Sequence, residues 1–157
     1  VRIACRMRDE GHTADEIADY LEKIRLLCEE KGISLILMKA PALYPAWYDQ
    51  WDQQIARYAA DHGLTYINCM KDPEAIGIDF SHDTYDGGIH MNVYGAEKVA
   101  RFLGPELLKV PGVSDRRQEE ALAVWWEEKC RVYDEKKAEQ EEEFSRLGYL
   151  EQFYQGQ

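Results

Sequence analysis

The order of helix-like and strand-like segments most constrains what this chain of 157 residues can fold into. Residues 13–31 and 45–62 each place apolar side chains at helical spacing, and a glycine, which commonly ends a helix, follows each at once. The next segments, Ile33 to Met38 and Leu64 to Cys69, have the length and apolar content of buried parallel strands. Helix, strand, helix, strand predicts an α/β fold whose parallel sheet is joined by crossover helices.

The rest of the chain predicts one loop and two more helices. Residues 71–88 are polar and rich in turn-forming residues, so we expect a loop at the carboxyl ends of the strands, where open α/β sheets usually bind ligands. A third amphipathic helix is predicted from Val93 to Leu108, and a long one from about Ser114 to Leu147. We therefore expect an α/β domain over residues 1–112 and a long acidic helix with an aromatic tail over residues 113–157.

The two halves of the long C-terminal helix differ in character. Apolar residues at helical spacing lie in its first half, whereas residues 134–143 hold six acidic residues against two lysines. This pattern predicts that the helix packs through its first half and leaves its second half in solvent. The alternative is an arm that binds a partner through aromatic and apolar side chains, namely Trp125, Trp126, Phe144, Tyr149, Leu150, Phe153 and Tyr154.

Composition excludes several classes of function. The formal net charge of −11 disfavours nucleic acids and anionic membrane surfaces as partners. No apolar run reaches the roughly 18 residues of a membrane span, and the four cysteines form no C-x-x-C pair for zinc or redox chemistry. The compartment stays open: the cytoplasm is favoured, unless a signal peptide lies in a region upstream.

Residues 83–98 hold the residues most suited to catalysis. Asp86 and His90 lie four positions apart across Gly87 and Gly88, which allow a tight turn. The carboxylate can therefore reach a ring nitrogen of His90, fix its tautomer and leave the other nitrogen to take a proton. Asn92 is expected to cap the helix that follows.

Three other readings of these residues are open. Asp79, Asp83, Asp86 and His90 have the side chains of a Mg²⁺ or Mn²⁺ site, but loop acids more often serve as turn residues, so we predict no metal and no cofactor. His82 is expected to be a loop residue that is structural or exposed, with a place in the cleft as the alternative. Asp83 is the alternative partner acid for His90.

The sequence Tyr85-Asp86-Gly-Gly-Ile-His90-Met-Asn92-Val-Tyr-Gly95-Ala resembles the C-terminal catalytic block of SGNH (GDSL-type) hydrolases. The resemblance extends over residues 17–108 and includes Leu35 to Pro41 and Leu64 to Asn68, which are similar to the last strands of that fold. It implies the C-terminal part of a three-layer α/β/α, flavodoxin-like parallel sheet. It also implies a Ser-His-Asp triad in which His90 is the general base and Asp86 its orienting acid.

The sequence departs from the family pattern in two ways. The family spaces its acid and base as D-x-x-H, whereas Asp86 and His90 follow D-x-x-x-H. The family's serine lies in a Gly-Asp-Ser block near the N-terminus, and none of the four serines lies in such a block: Ser34, Ser81, Ser114 and Ser145. We therefore expect the C-terminal portion of a serine esterase, lipase or acyltransferase that is inactive alone and needs the N-terminal part of the same protein.

The expected substrate is an ester-containing small molecule, a lipid or an acylated carbohydrate. The alternative function is a non-catalytic α/β interaction module that binds a protein partner through the C-terminal helix. In either case the edge of a strand at Ile33 to Met38, or of one at Val1 to Cys5, invites pairing with another chain. A homo-oligomer is one form that such pairing takes.

Overall fold

In the computed structural model of this protein, residues 14–44 and 46–150 are described, with side chains from residue 18 onward. The fold is mixed α/β and mostly helical, and the chain divides into two compact units, residues 1–71 and 72–157. The strand predicted at Val1 to Cys5, the first residue of the first predicted helix, Thr13, and the aromatic residues Phe153 and Tyr154 lie outside the described residues.

The first unit contains two helices and two strands in alternation. They are α1 (Ala14–Glu30), β1 (Ile36–Lys39), α2 (Asp49–Asp61) and β2 (Thr65–Asn68). The strands pair in parallel, in a register that aligns Ile36 with Thr65 and Lys39 with Asn68. The predicted parallel pairing is confirmed, and the sheet of the described residues has two strands. The three-layer arrangement stays a prediction.

Glycine ends both helices of this unit, as the sequence predicts. Gly32 and Gly63 each have a φ of +64°, in the left-handed region that glycine enters without steric cost. The next residue then turns back onto the helix, and the N–H groups of Ile33 and Leu64 donate to carbonyls of the last turn at 2.8 Å. These closures satisfy terminal carbonyls and direct the chain into each strand.

A buried carboxylate joins α2 to the carboxyl end of β2. Asp52 accepts hydrogen bonds from the Tyr66 hydroxyl at 2.8 Å and the Asn68 amide at 2.6 Å, and Lys71 lies 3.1 Å from its other oxygen. Burial alone raises the pKa of Asp52, but these donors hold the pKa below its ordinary value. The carboxylate therefore stays charged and fixes the helix to the strand.

The second unit is helical. It contains a single turn, α3 (Pro73–Ile76), followed by α4 (Val93–Leu107) and the 28-residue α5 (Glu120–Leu147). The cap predicted at Asn92 is confirmed, because its side-chain oxygen accepts from the N–H groups of Tyr94 at 3.0 Å and Gly95 at 3.2 Å. None of the described helices is long and apolar enough to cross a membrane.

The prediction that the second half of α5 stays in solvent is wrong. Tyr133, at the end of the first half, donates its hydroxyl to Glu97 on α4 at 2.9 Å, and Lys137 of the second half reaches the same carboxylate at 2.7 Å. The Phe144 ring, also in the second half, lies 5.5 Å from that of Tyr94. The first half leaves Trp125 exposed by 53%. The acidic composition of the second half misled the prediction, because one lysine and one aromatic ring suffice to hold it against α4.

We expect Gly95→Ala to lower the free energy of unfolding by about 1–3 kcal/mol or more, because overpacking forces the backbone to shift. An added Cβ at this site falls 2.7 Å from the Met91 sulfur and even closer to the Asp83 carbonyl oxygen. Urea denaturation measures the change.

Gly104→Ala, on the same helix, is the control, because an added Cβ there meets no atom within 4 Å. We expect it to stay within about 1 kcal/mol of wild type. Equal stabilities for the two variants would contradict the close packing of α4 on Asp83.

Candidate functional site

Residues 83–92 form a closed loop at the start of α4. Thr84 and Met91 pair as an isolated antiparallel bridge. On either side of it, the Tyr85 N–H donates to the His90 carbonyl at 2.9 Å and the Asn92 N–H donates to the Asp83 carbonyl at 3.0 Å. The two arms of the loop are therefore held side by side, and residues 86–89 form its tip.

Asp86 holds both the backbone and the side chain of His90. Its Oδ1 atom accepts from the N–H groups of Ile89 at 3.1 Å and His90 at 2.8 Å, while its Oδ2 atom lies 2.5 Å from His90 Nδ1. With Nδ1 facing a carboxylate, the neutral imidazole carries its proton on Nδ1 and its lone pair on Nε2. The structure thus places the predicted acid and base together.

The Asp86 carboxylate is held in its charged form. Burial alone raises the pKa of Asp86, but the hydrogen bonds from the His90 backbone, the His90 ring and the Ile89 backbone keep the pKa below its ordinary value. The side chains of His90 and Asp86 are 27% and 15% exposed, so both are partly screened from water. The site therefore holds a charged carboxylate in direct contact with an oriented imidazole ring.

The glycine pair accommodates the unusual spacing of acid and base. Gly87 and Gly88 have φ values of +69° and +116°, which L side chains rarely adopt. The Gly88 N–H donates to the Thr84 hydroxyl at 2.8 Å, and this hydroxyl donates to the Phe80 carbonyl at 2.6 Å. The two glycines thereby form the turn at the tip of the loop, and Thr84 fixes the tip to the incoming arm, residues 83–85.

Asp83, the alternative acid, is placed with other partners. Its side chain is fully buried; Oδ1 lies 2.8 Å from His82 Nδ1, and Oδ2 accepts from Lys98 at 2.6 Å and the Asp79 N–H at 2.8 Å. These donors, Lys98 first, outweigh the effect of burial and keep the pKa of Asp83 below its ordinary value. Asp83 therefore anchors the loop to α4.

A second Asp–His pair, formed by His82 and Asp83, lies where the chain enters the loop. The His82 ring lies between aromatic side chains, with centroid distances of 4.6 Å to Tyr94 and 4.8 Å to Phe144. Asn92, which is almost fully buried, donates to the His82 carbonyl at 2.6 Å as well as capping α4. His82 is therefore a half-exposed ring packed against α4 and α5.

Other predicted candidates are engaged locally or lie elsewhere. The Ser81 hydroxyl donates to Asp79 at 2.6 Å and serves the turn, while Ser145 lies within α5. Among residues of the described part, no group of three or more His, Cys, Asp or Glu side chains is arranged to hold a metal ion. The acids considered as ligands are instead bound by N–H, hydroxyl, ring or ammonium groups.

Sequence reasoning missed two residues that support the site. Lys98 binds the incoming arm of the loop and Thr84 binds its tip, yet neither belongs to a recognisable motif. One signal for Lys98 was present, because it lies on the helix capped by Asn92, where a lysine within two turns can fold back onto a loop acid.

No family model, curated protein or solved structure matches this chain. The resemblance to SGNH hydrolases therefore stays a prediction.

We expect Asp83→Asn to lower the free energy of unfolding by about 2–4 kcal/mol at pH 7, because it removes one partner of a buried ion pair. The folded pKa of Asp83 is lowered, so its contribution is present above the unfolded pKa of about 3.9 and is lost as pH falls through the lower folded value. Urea denaturation between pH 3 and 7 should show the two stability curves converging at the acid end.

Asp115→Asn is the control, since Asp115 pairs with Arg117 at the surface, where solvent screening leaves ion pairs with little effect on stability. A constant difference between wild type and Asp83→Asn down to pH 3 would contradict the charged state of Asp83.

Proposed function

We propose that residues 83–92 supply the general base and its orienting acid to an ester-cleaving site of the SGNH type. The observation that carries this proposal is the contact of one carboxylate, Asp86, with both the backbone N–H and the ring Nδ1 of His90. A carboxylate oxygen that accepts from a backbone N–H four residues on is common in turns. The other oxygen of Asp86, Oδ2, has no part in the turn and orients the His90 ring, as a general base requires.

In the proposed reaction His90 accepts and returns one proton while the serine is acylated, and again while it is deacylated. A serine Oγ attacks the ester carbonyl carbon while its proton passes to His90 Nε2, and backbone N–H groups stabilise the oxyanion. The tetrahedral intermediate then expels the alcohol, which takes the proton back from the imidazolium. Water, or an acceptor alcohol in an acyltransferase, repeats the sequence on the acyl-serine and restores the free serine.

The nucleophile belongs to another part of the protein in this proposal. The sequence has no Gly-Asp-Ser block, so the serine and the oxyanion donors are assigned to the N-terminal part of a three-layer SGNH domain, of which β1 and β2 are two strands. Within the part of the chain that the structure describes, the parallel sheet has two strands. This supports the assignment, because parallel sheets are usually covered and extended by further elements. Substrates are esters of small molecules, lipids or acylated carbohydrates.

His90→Gln and Asp86→Asn, made in the complete reading frame that encodes this chain, should each slow labelling by a fluorophosphonate probe. We expect a loss of roughly 100- to 10,000-fold, the range that a general base contributes. Hydrolysis of p-nitrophenyl butyrate should fall in parallel.

His62→Gln is the matched control, because His62 follows α2 in the first unit and has no role in the proposal. The isolated 157-residue chain should neither label nor hydrolyse the ester. Labelling that persists in His90→Gln, or turnover by the isolated chain that a serine-directed inhibitor abolishes, would refute the proposal.

Protein binding through α5 is the second candidate function. The helix has no buried residue, and its first half exposes Val124, Trp125 and Trp126 by 73, 53 and 48%. An exposed tryptophan pair is typical of binding hot spots. Since the chain has a net charge of −11, the partner we propose is a basic amphipathic helix whose apolar stripe covers these rings.

The double variant Trp125→Ala/Trp126→Ala should bind a helical peptide of lysine and leucine at least about tenfold more weakly than wild type, because two aromatic anchors are lost. Fluorescence anisotropy of the labelled peptide measures this affinity. Leu108→Ala, at another exposed apolar residue, is the control and should bind as wild type does. If a scrambled peptide of the same charge binds equally well, the attraction is only electrostatic and this candidate fails.

A further inference from the structure

The contact between Lys98 and Asp83 differs from the other ion pairs of the second unit. Its Nζ–Oδ2 distance is 2.6 Å and its carboxylate is completely excluded from solvent. The Lys109–Glu106 pair has the same length, but both of its side chains are open to water. An isolated buried charge is very costly, and the Lys98 ammonium group is the main group that offsets this cost for the Asp83 carboxylate.

Backbone hydrogen bonds lead from this ion pair to His90. The Asp83 carbonyl accepts from the N–H of Asn92, and two residues along the incoming arm the Tyr85 N–H donates to the His90 carbonyl. The arm that Lys98 fixes is therefore the arm to which the His90 backbone is bonded. Lys98 itself lies on α4, a 15-residue helix. The loop is therefore attached to a rigid element.

We propose that Lys98 is a positioning residue for His90: through Asp83 it fixes the incoming arm of the loop to α4 and so holds the imidazole in line with Asp86. This role rests on the proposed function of His90 as general base. Without the ammonium group, the Asp83 carboxylate turns toward water or takes up a proton. The hydrogen bonds from His82 and the Asp79 N–H are then weakened, and the arm that carries Tyr85 loses its attachment.

The orientation of His90 and the stability of the fold can be measured separately. Lys98→Met is compared with Lys98→Arg, which keeps a donor cation, and with Lys109→Met, which removes an exposed ion pair of equal length. Long-range ¹H–¹⁵N NMR of the 157-residue chain reports the tautomer of His90, with His90→Gln to assign the signal. Fluorophosphonate labelling and ester hydrolysis in the complete reading frame report the reaction.

We expect wild type and Lys109→Met to show His90 protonated on Nδ1, and Lys98→Met to show mixed tautomers. In the complete reading frame, Lys98→Met should lower kcat about 10- to 100-fold, the effect of misplacing a reacting group by about 1 Å, and leave KM unchanged. Lys98→Arg should restore most of the Nδ1-protonated signal of His90 and most of the wild-type kcat.

If Lys98→Met fails to fold, the double variant Asp83→Asn/Lys98→Met removes both charges and is measured in its place, with the same expected loss. A folded variant that keeps the wild-type His90 signal and the wild-type kcat overturns the positioning role, whatever its melting temperature. If wild type itself lacks the Nδ1-protonated signal, or if His90→Gln retains full activity, the proposed function fails instead.

Discussion

The second unit depends on one buried carboxylate. Asp83 is fully excluded from solvent and is satisfied by an ammonium group, a ring nitrogen and a backbone N–H, which together offset the cost of burying its charge. The backbone carbonyl oxygen of Asp83 accepts a hydrogen bond from the Asn92 N–H and lies against Gly95, where a side chain would not fit. The close approach of α4 and the closure of the loop therefore both involve the residue at this position.

Local rules made part of this structure predictable. The glycine that ends each helix of the first unit and the Asn92 cap act within four residues of the chain, so sequence spacing specifies them. The contact of Asp86 with His90 is equally local, because two of the three residues between them are glycines with positive φ values, which close the turn. Parallel pairing of the strands was also predictable, since a helical crossover leaves few other arrangements.

What escaped prediction depends on contacts between distant residues. Lys98 and Asp83 are 15 positions apart, and Lys137 and Glu97 are 40 apart, so neither pair has a spacing that a pattern can detect. Composition indicated that the acidic half of α5 stays in solvent, whereas Phe144 and Lys137 pack that half against α4. The extent of the sheet is similarly non-local, because strands that pair in parallel are separated by whole helices.

The Asp83–His82 and Asp86–His90 pairs differ in whether a cationic side chain also pairs with the carboxylate. Asp83 forms an ion pair with the Lys98 ammonium group. Among the described residues, no lysine or arginine forms an ion pair with Asp86, and its partners are two backbone N–H groups and the His90 ring. The Asp86 carboxylate therefore acts chiefly on the loop tip and on His90. The ion pair with Lys98 thus anchors the loop at Asp83, while Asp86 holds the loop tip and the His90 ring.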